Sequence, residues 1–248
     1  MNEVRSLARG LLILRKLAEN PDGVSVTEIA DELEIDKSSS SRILQTLANY
    51  GFAEKDPVSQ RYLFGPQIVR LSRFALTRMP LRETAKPFLH QLVEQTGECA
   101  HLAILAQGKA LYIDQEDSPN PLSVSSGVGT LSPLHCTALG KVLLAFGNAP
   151  IPKNLETYTV RTITDPISLQ HHLEAIRNLG YAVDDEEHHP GVRCIAIPVI
   201  DFRDRCVAAI GISGPTSRMT LEVLPIMVNK VTQVGDDLNK RLGFKVDT

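Results

Sequence analysis

Four short stretches carry residue types able to do chemistry. The first is Lys37-Ser38-Ser39-Ser40-Ser41-Arg42, cationic at both ends and hydroxylated between. Hydroxyls and cations of this reach suit phosphate oxygens and base edges, and no long apolar side chain blocks entry to a groove. The second is Leu134-His135-Cys136-Thr137-Ala138-Leu139-Gly140-Lys141, which opens a helix. The first amides of a helix are free donors at the positive end of its dipole, so an anionic or carbonyl ligand fits there. Capping by Thr137 alone is the plainer alternative. His135-Cys136 also invites thiol chemistry, but no orienting acid or oxyanion hole accompanies it, so no catalytic residue is assigned. The third, Asp184-Asp185-Glu186-Glu187-His188-His189, is rich in metal-ligand types. A strand end running into a solvated loop accounts for it, and no metal is assigned. One of its acids is left to point inward and accept a hydrogen bond from a ligand. The fourth, Gly127-Val128-Gly129, lacks the strand–loop–helix spacing of a nucleotide site and reads as a turn.

These stretches need elements to hold them. Val26, Ile29, Ala30 and Leu33 recur at helical spacing, and Ile43, Leu44 and Leu47 follow after a break at Glu34-Ile35-Asp36. Asp36 is placed to cap the second helix of this pair. Residues 4–19 predict a preceding helix with a stripe of Leu7, Leu11, Leu14 and Ala18, widened by Leu12, Ile13 and Leu17. After Gly51, the runs Phe52–Asp56 and Arg61–Phe64 flank a turn at Pro57–Gln60 and read as a hairpin. Three helices and a hairpin make a winged helix-turn-helix, with Lys55 and Arg61 on the wing against the DNA backbone.

The 248 residues suffice for two domains. At 43% hydrophobic and 22% charged, the composition is that of a globular protein. No apolar run reaches the length of a membrane span and no secretory leader is visible, so a cytoplasmic protein with no membrane partner is expected. Cys99, Cys136, Cys194 and Cys206 are widely spaced and read as buried thiols. The net charge is −3, and residues 1–65 hold eight Lys/Arg against ten Asp/Glu. Any DNA affinity must therefore come from local placement of charge. Acids gather at Glu28, Asp31, Glu32 and Glu34, on the first helix of the pair, and bases at Lys37, Arg42, Lys55 and Arg61.

Three regions follow: a DNA-binding domain at 1–65, a linker helix at 66–80 with Ile68, Leu71, Ala75 and Met79 on one face, and a second domain at 81–248. The second domain predicts a helix at 81–96 kinked at Pro87. Strands are expected at Cys99–Ala106, Ala110–Glu116 and Leu122–Ser126, then a helix at 138–147 and a loop from Asn148 to Val160. A helix from Asp165 to Leu179, strands at Tyr181–Asp184, Arg193–Ile200 and Cys206–Ser213, and a helix at Leu221–Leu242 complete it. The fold class is α+β, with a six-stranded, mainly antiparallel sheet.

DDEEHHPGVRCIAIPV at Asp184–Val199, LHCTALGKVLLA upstream and ISGPTSRMT downstream resemble the IclR family of bacterial transcriptional regulators. SLARGLLILRKLAE, the helix pair, RYLFGP, LRETAKPFL and TITDP extend the likeness over nearly the whole chain. The resemblance implies a winged helix on a palindromic operator, a linker helix and a GAF-like effector domain, in a homodimer or dimer of dimers. It implies a small organic effector, a carboxylate or an aromatic catabolite, that alters operator binding or recruitment of RNA polymerase, in either a repressor or an activator. No cofactor is implied. Ser25, Lys37, Ser38, Ser39, Ser41, Arg42, Gln45, Lys55 and Arg61 are the expected DNA contacts, with Ser40 turned inward where the family has an aliphatic residue. Ala138, Leu139, Asp184, Cys194, Gly211 and Ser213 are the expected effector contacts. Besides Ser40, four departures stand out: Glu34 where the family has Gly at the turn, Gly127 where it often has a basic residue, Gly211 where some members have a second serine, and Ser132 where an aliphatic residue is usual. On the residues alone, an α+β enzyme using Cys136 or Cys194 with a histidine and an oligomeric scaffold remain open.

Overall fold

A computed structural model describes residues 4–147 and 149–244, so Asn148, the expected start of the loop before Val160, lies outside the described residues. The chain divides into two compact units between Arg78 and Met79.

The first unit holds α1 (Arg5–Glu19), α2 (Val26–Glu32), α3 (Lys37–Asn49), β1 (Ala53–Lys55), β2 (Tyr62–Phe64) and α4 (Gln67–Thr77). β1 and β2 pair antiparallel as the wing, and Val24 bridges to Tyr62 beside them. Ile13, Leu17, Val24, Ile29, Leu44, Ala53 and Tyr62 form the core. The expected stripe of α1 is thus displaced. Ile13 and Leu17 are buried, whereas Leu7 and Leu11 are 62% and 59% exposed. Eight apolar residues crowd α1, so periodicity alone does not choose which face packs. The linker helix α4 carries no buried residue and groups with this unit.

The second unit contains α5 (Pro80–Thr96), β3 (Cys99–Ala106), β4 (Lys109–Glu116), β5 (Leu131–Ser132), α6 (Ala138–Phe146), α7 (Pro166–Leu179), β6 (Ala182–Asp185), β7 (Val192–Ile200), β8 (Cys206–Pro215) and α8 (Leu224–Arg241). The six strands form one antiparallel sheet in the order β5-β4-β3-β8-β7-β6. The predicted strand at Leu122–Ser126 is a loop, and the sixth strand is Leu131–Ser132 pairing with β4. Helix α5 continues through Pro87.

Alternation along the strands sends side chains to two cores. Ile195, Ile197, Val199, Ala208, Ile210 and Ile212 pack under α5 and α8 with Leu89, Leu92, Val234 and Leu238. Ala103, Tyr112, Ala196 and Ala209 face α6, with α7 over it. Gly211 and Ser213 continue the second series on β8, so the face toward α6 turns polar as the strands run toward that helix's start.

Candidate nucleic-acid interface and ligand cavity

The helix pair is held by short-range hydrogen bonds. Ser25 caps α2: its Oγ accepts from Glu28 N–H at 3.2 Å, and the Glu28 carboxylate accepts from Ser25 N–H at 2.7 Å. Asp36 caps α3, accepting from Ser39 N–H at 2.8 Å and from the hydroxyls of Ser38 at 2.5 Å and Ser39 at 2.7 Å. Those hydroxyl bonds hold the Asp36 carboxyl well below its usual range. Glu34, in the turn, has φ 50°, the left-handed conformation that a glycine would adopt without a Cβ clash. Ser40 is fully buried with its Oγ unpartnered.

The expected DNA contacts therefore separate. Lys37, Ser41 and Arg42 are exposed on α3, and among the described residues their side chains have no ion pair or hydrogen bond. Gln45 is exposed and donates to Asn49 Oδ1 at 3.0 Å. Lys55 Nζ lies 5.9 Å from the Tyr62 ring centroid. Ser25, Ser38 and Ser39 spend their hydroxyls on caps. Arg61 departs most from the wing role expected of it. Its guanidinium donates to Gly23 O at 2.8 Å and pairs with Glu28 at 2.8 Å, bracing wing to helix pair with its charge already matched. An ion pair thirty-three residues apart is invisible to spacing rules.

In the second unit, all six expected effector contacts line one cavity of about 280 Å³. The register explains their meeting. Asp184 of β6 is paired with Cys194 of β7, which is paired with Ser213 of β8, so three polar side chains stand in one row across the sheet. Facing them is the start of α6. Thr137 Oγ1 accepts from Gly140 N–H at 3.1 Å, leaving the amides of Ala138 and Leu139 without intrahelical acceptors. Gly211 follows from close strand approach: a Cβ there would meet Ile195 O at 2.1 Å. The phosphate-loop lookalike is a turn, with φ 75° at Gly127 and 95° at Gly129.

Burial pushes the Asp184 carboxyl up to about 7, against the pull of the Glu187 N–H that it accepts at 2.8 Å. The thiol of Cys194 is likewise raised by burial, and that of Cys136 is pushed up to about 12. Neither is a thiolate nucleophile at neutral pH. The acid-rich loop is tied up in ion pairs: Asp185 with Arg193 and Arg161, Glu186 with Arg161, Glu187 with Lys141. Among the described residues, no group of three His, Cys, Asp or Glu is placed to hold a metal.

Several residues here escape sequence reasoning. Lys141 is fully buried within α6, its ammonium donating to Glu187, to Val183 O at 2.5 Å and to His172 Nε2 at 3.2 Å. Tyr112, Val124, Ser125, Ser126, Thr130 and Ser132 line the cavity wall on the β4–β5 side, and His188 and His189 lie at its rim. His188 packs edge-on against Tyr158, 4.9 Å between centroids, and burial lowers it to about 4, a neutral ring. Lys141, His188 and His189 fall within stretches singled out in the sequence and Ser132 is an unusual hydroxyl, but none of the four carried an assigned role there.

A winged helix in one unit and a cavity with a row of polar side chains in an antiparallel α+β unit define a ligand-responsive DNA-binding regulator. Residues 6–57 match the IclR helix-turn-helix domain and residues 73–240 the bacterial transcriptional regulator IclR C-terminal domain. The chain belongs to the IclR family of transcriptional regulators. It is 38% identical to the HTH-type transcriptional regulator BhcR of Paracoccus denitrificans, over 95% of this chain and 86% of that one. It is 33% identical to the transcriptional repressor IclR of Escherichia coli, over 88% and 82%. The crystal structure of the Thermotoga maritima IclR superposes with a TM-score of 0.74 at 29% identity, covering 98% of this chain and 100% of that one. No helix among the described residues is long and apolar enough to cross a membrane.

Proposed function

We propose that this regulator reads a palindromic operator through Lys37, Ser41, Arg42 and Gln45 and binds a small carboxylate in its C-terminal cavity. The observation that carries the reading is the row Asp184–Cys194–Ser213 facing the free amides of Ala138 and Leu139 inside one cavity. The amides and the Ser213 hydroxyl donate to the carboxylate. Asp184, raised by burial to about 7, keeps its proton at mildly acidic pH, where it sits beside the carboxylate without like-charge repulsion and donates through that proton. Gly211 leaves backbone where a side chain would stand.

On the DNA side, a single exposed reading helix covers one half-site, so two copies related by a two-fold axis match a palindrome. A homodimer or a dimer of dimers in the cytoplasm is the working form, and RNA polymerase is its further partner where the output is activation. Arg61 belongs to the frame of this unit, and Lys55 is the wing cation that meets phosphate. Ser38 and Ser39 fix the entry of α3 through Asp36, while the backbone N–H of Ser38 remains available to phosphate.

A thermal-shift screen of small carboxylates against the full chain and Ser213→Ala tests the cavity. A ligand that binds only the folded form raises its melting temperature by mass action. An acid that stabilises the wild type and stabilises S213A far less supports the assignment. Equal shifts in both proteins would remove it.

A further inference from the structure

The carboxylate site uses only one end of the cavity. At the other, on the β4–β5 side, stand Tyr112, Ser126 and Ser132, and the Tyr112 phenol lies within hydrogen-bonding reach of both serine hydroxyls. The neighbouring hydroxyls of Ser125 and Thr130 are already engaged, by Gln115 at 2.6 Å and by Ser126 O. Burial pushes the Tyr112 phenol up to about 12, and hydrogen bonds with Ser126 and Ser132 pull it back down. Register explains the meeting: Ser132 pairs with Ala110 at the sheet edge, and Tyr112 N–H donates to Thr130 O at 2.9 Å just before β5. His101, fully buried and packed edge-on against Tyr112 at 5.4 Å, fixes the phenol from behind. Tyr112 and Ser132 are buried and Ser126 is half-buried, and since each hydroxyl can both donate and accept, the bonds among them leave further donor and acceptor capacity facing the cavity. A ligand with a bare alkyl or aryl tail leaves that capacity unused and displaces the water that would otherwise meet it.

We propose that Tyr112, Ser126 and Ser132 form a second subsite that binds hydroxyl groups, and that the effector is a polyhydroxylated carboxylic acid. The inference rests on the carboxylate reading of the opposite end and extends it. Each protein hydroxyl both donates and accepts, as does each alcohol of such a chain, so the two sets pair without a charge. A volume of about 280 Å³ equals that of roughly nine waters, the heavy-atom count of a four-carbon aldonic acid, and tighter covalent packing extends the range to about six carbons.

The test titrates the full-length protein calorimetrically with threonate, ribonate and gluconate, with butanoate, pentanoate and hexanoate as chain-matched acids, and with 4-hydroxybenzoate. The expected result is at least one aldonate binding about ten-fold or more tightly than its alkanoate. Tyr112→Phe and Ser132→Ala should each weaken that aldonate about five-fold or more while leaving the alkanoate unchanged. Both substitutions are near-isosteric, and Ser126→Ala gives an independent readout should either fail to fold. An alkanoate or 4-hydroxybenzoate binding as tightly as every aldonate overturns the hydroxyl subsite but leaves the carboxylate end standing. Unchanged aldonate affinity in the variants also overturns it. Failure of all seven acids to bind overturns both ends together.

Discussion

The two units treat polar side chains in opposite ways. In the first, most polar groups near the reading helix are partnered within a few residues: Ser25 with Glu28, Ser38 and Ser39 with Asp36. What is left for DNA is a small set of exposed groups, Lys37, Ser41 and Arg42. In the second, the cavity gathers hydroxyls from β4, the following loop, β5 and β8, and those of Tyr112, Ser126, Ser132 and Ser213 line one space. A surface that meets a polyanion needs a rigid frame and a few free cations, since water satisfies everything else. An enclosed site must leave its polar groups open, because its ligand is their partner.

The buried ion pair in the second unit gives the largest expected effect on this contrast. Lys141→Met leaves Glu187 charged and unpaired under α6, and chemical denaturation should show a loss of about 3–5 kcal/mol. Adding Glu187→Leu should restore much of it. If the double variant is no more stable than the single one, the pair is not what holds the loop after β6.

Next comes Arg42→Ala. If Arg42 reaches a base edge, operator affinity falls by about 1–3 kcal/mol and base preference relaxes at one position of each half-site. Arg61→Ala should contrast with it, lowering the melting temperature of the DNA-binding unit while leaving the salt dependence of operator binding unchanged, because its charge is already matched by Glu28. A flattened salt slope in R61A would return Arg61 to the phosphate backbone.

The third prediction concerns pH. Asp184 has a folded pKa of about 7 against an ordinary 3.8, so the folded state holds its proton where the unfolded chain has lost it. For an acid shifted upward, stability is highest below the unfolded value and declines as pH rises from about 4 to about 7. Carboxylate binding should weaken over the upper part of that range, as Asp184 ionises beside the ligand. Asp184→Asn should flatten both profiles, read by thermal melts and calorimetry from pH 5 to 8. A profile unchanged in D184N assigns the dependence to another group.

The smallest effects lie in the turn and under the reading helix. Ser40→Ala removes a buried hydroxyl without a partner and should stabilise the first unit by about 1 kcal/mol. Glu34→Gly should add about 0.5–1 kcal/mol by relieving the left-handed strain. Both should also reduce the difference in α3 amide exchange between free and operator-bound protein.

The same contrast explains what was legible in the sequence. Caps announce themselves three residues ahead, so Asp36 could be read directly, as could the wing turn, whereas Ser25, expected as a DNA contact, is the cap of α2. The left-handed Glu34 and the inward Ser40 followed from departures at single positions. The stripe of α1 misled because Leu7 and Leu11 keep helical period yet stay exposed. The cavity is assembled by register across strands distant in the chain. Asp184, Cys194 and Ser213 were found by resemblance, whereas Tyr112 and Ser126 became visible only when β4 and β5 were paired. Lys141 illustrates the limit: a lysine in an apolar helix looks like a solvated end until its partner at Glu187 is placed.

The central claim is that occupancy of the C-terminal cavity changes DNA binding. It is tested most directly by fluorescence anisotropy on an operator duplex obtained by selection from random sequence. The dissociation constant is measured with and without a saturating amount of the acid that most stabilises the protein. We predict that the acid shifts operator affinity by about five-fold or more in the wild type and leaves S213A unmoved. An operator affinity unchanged by saturating acid, or shifted equally in both proteins, would contradict the account.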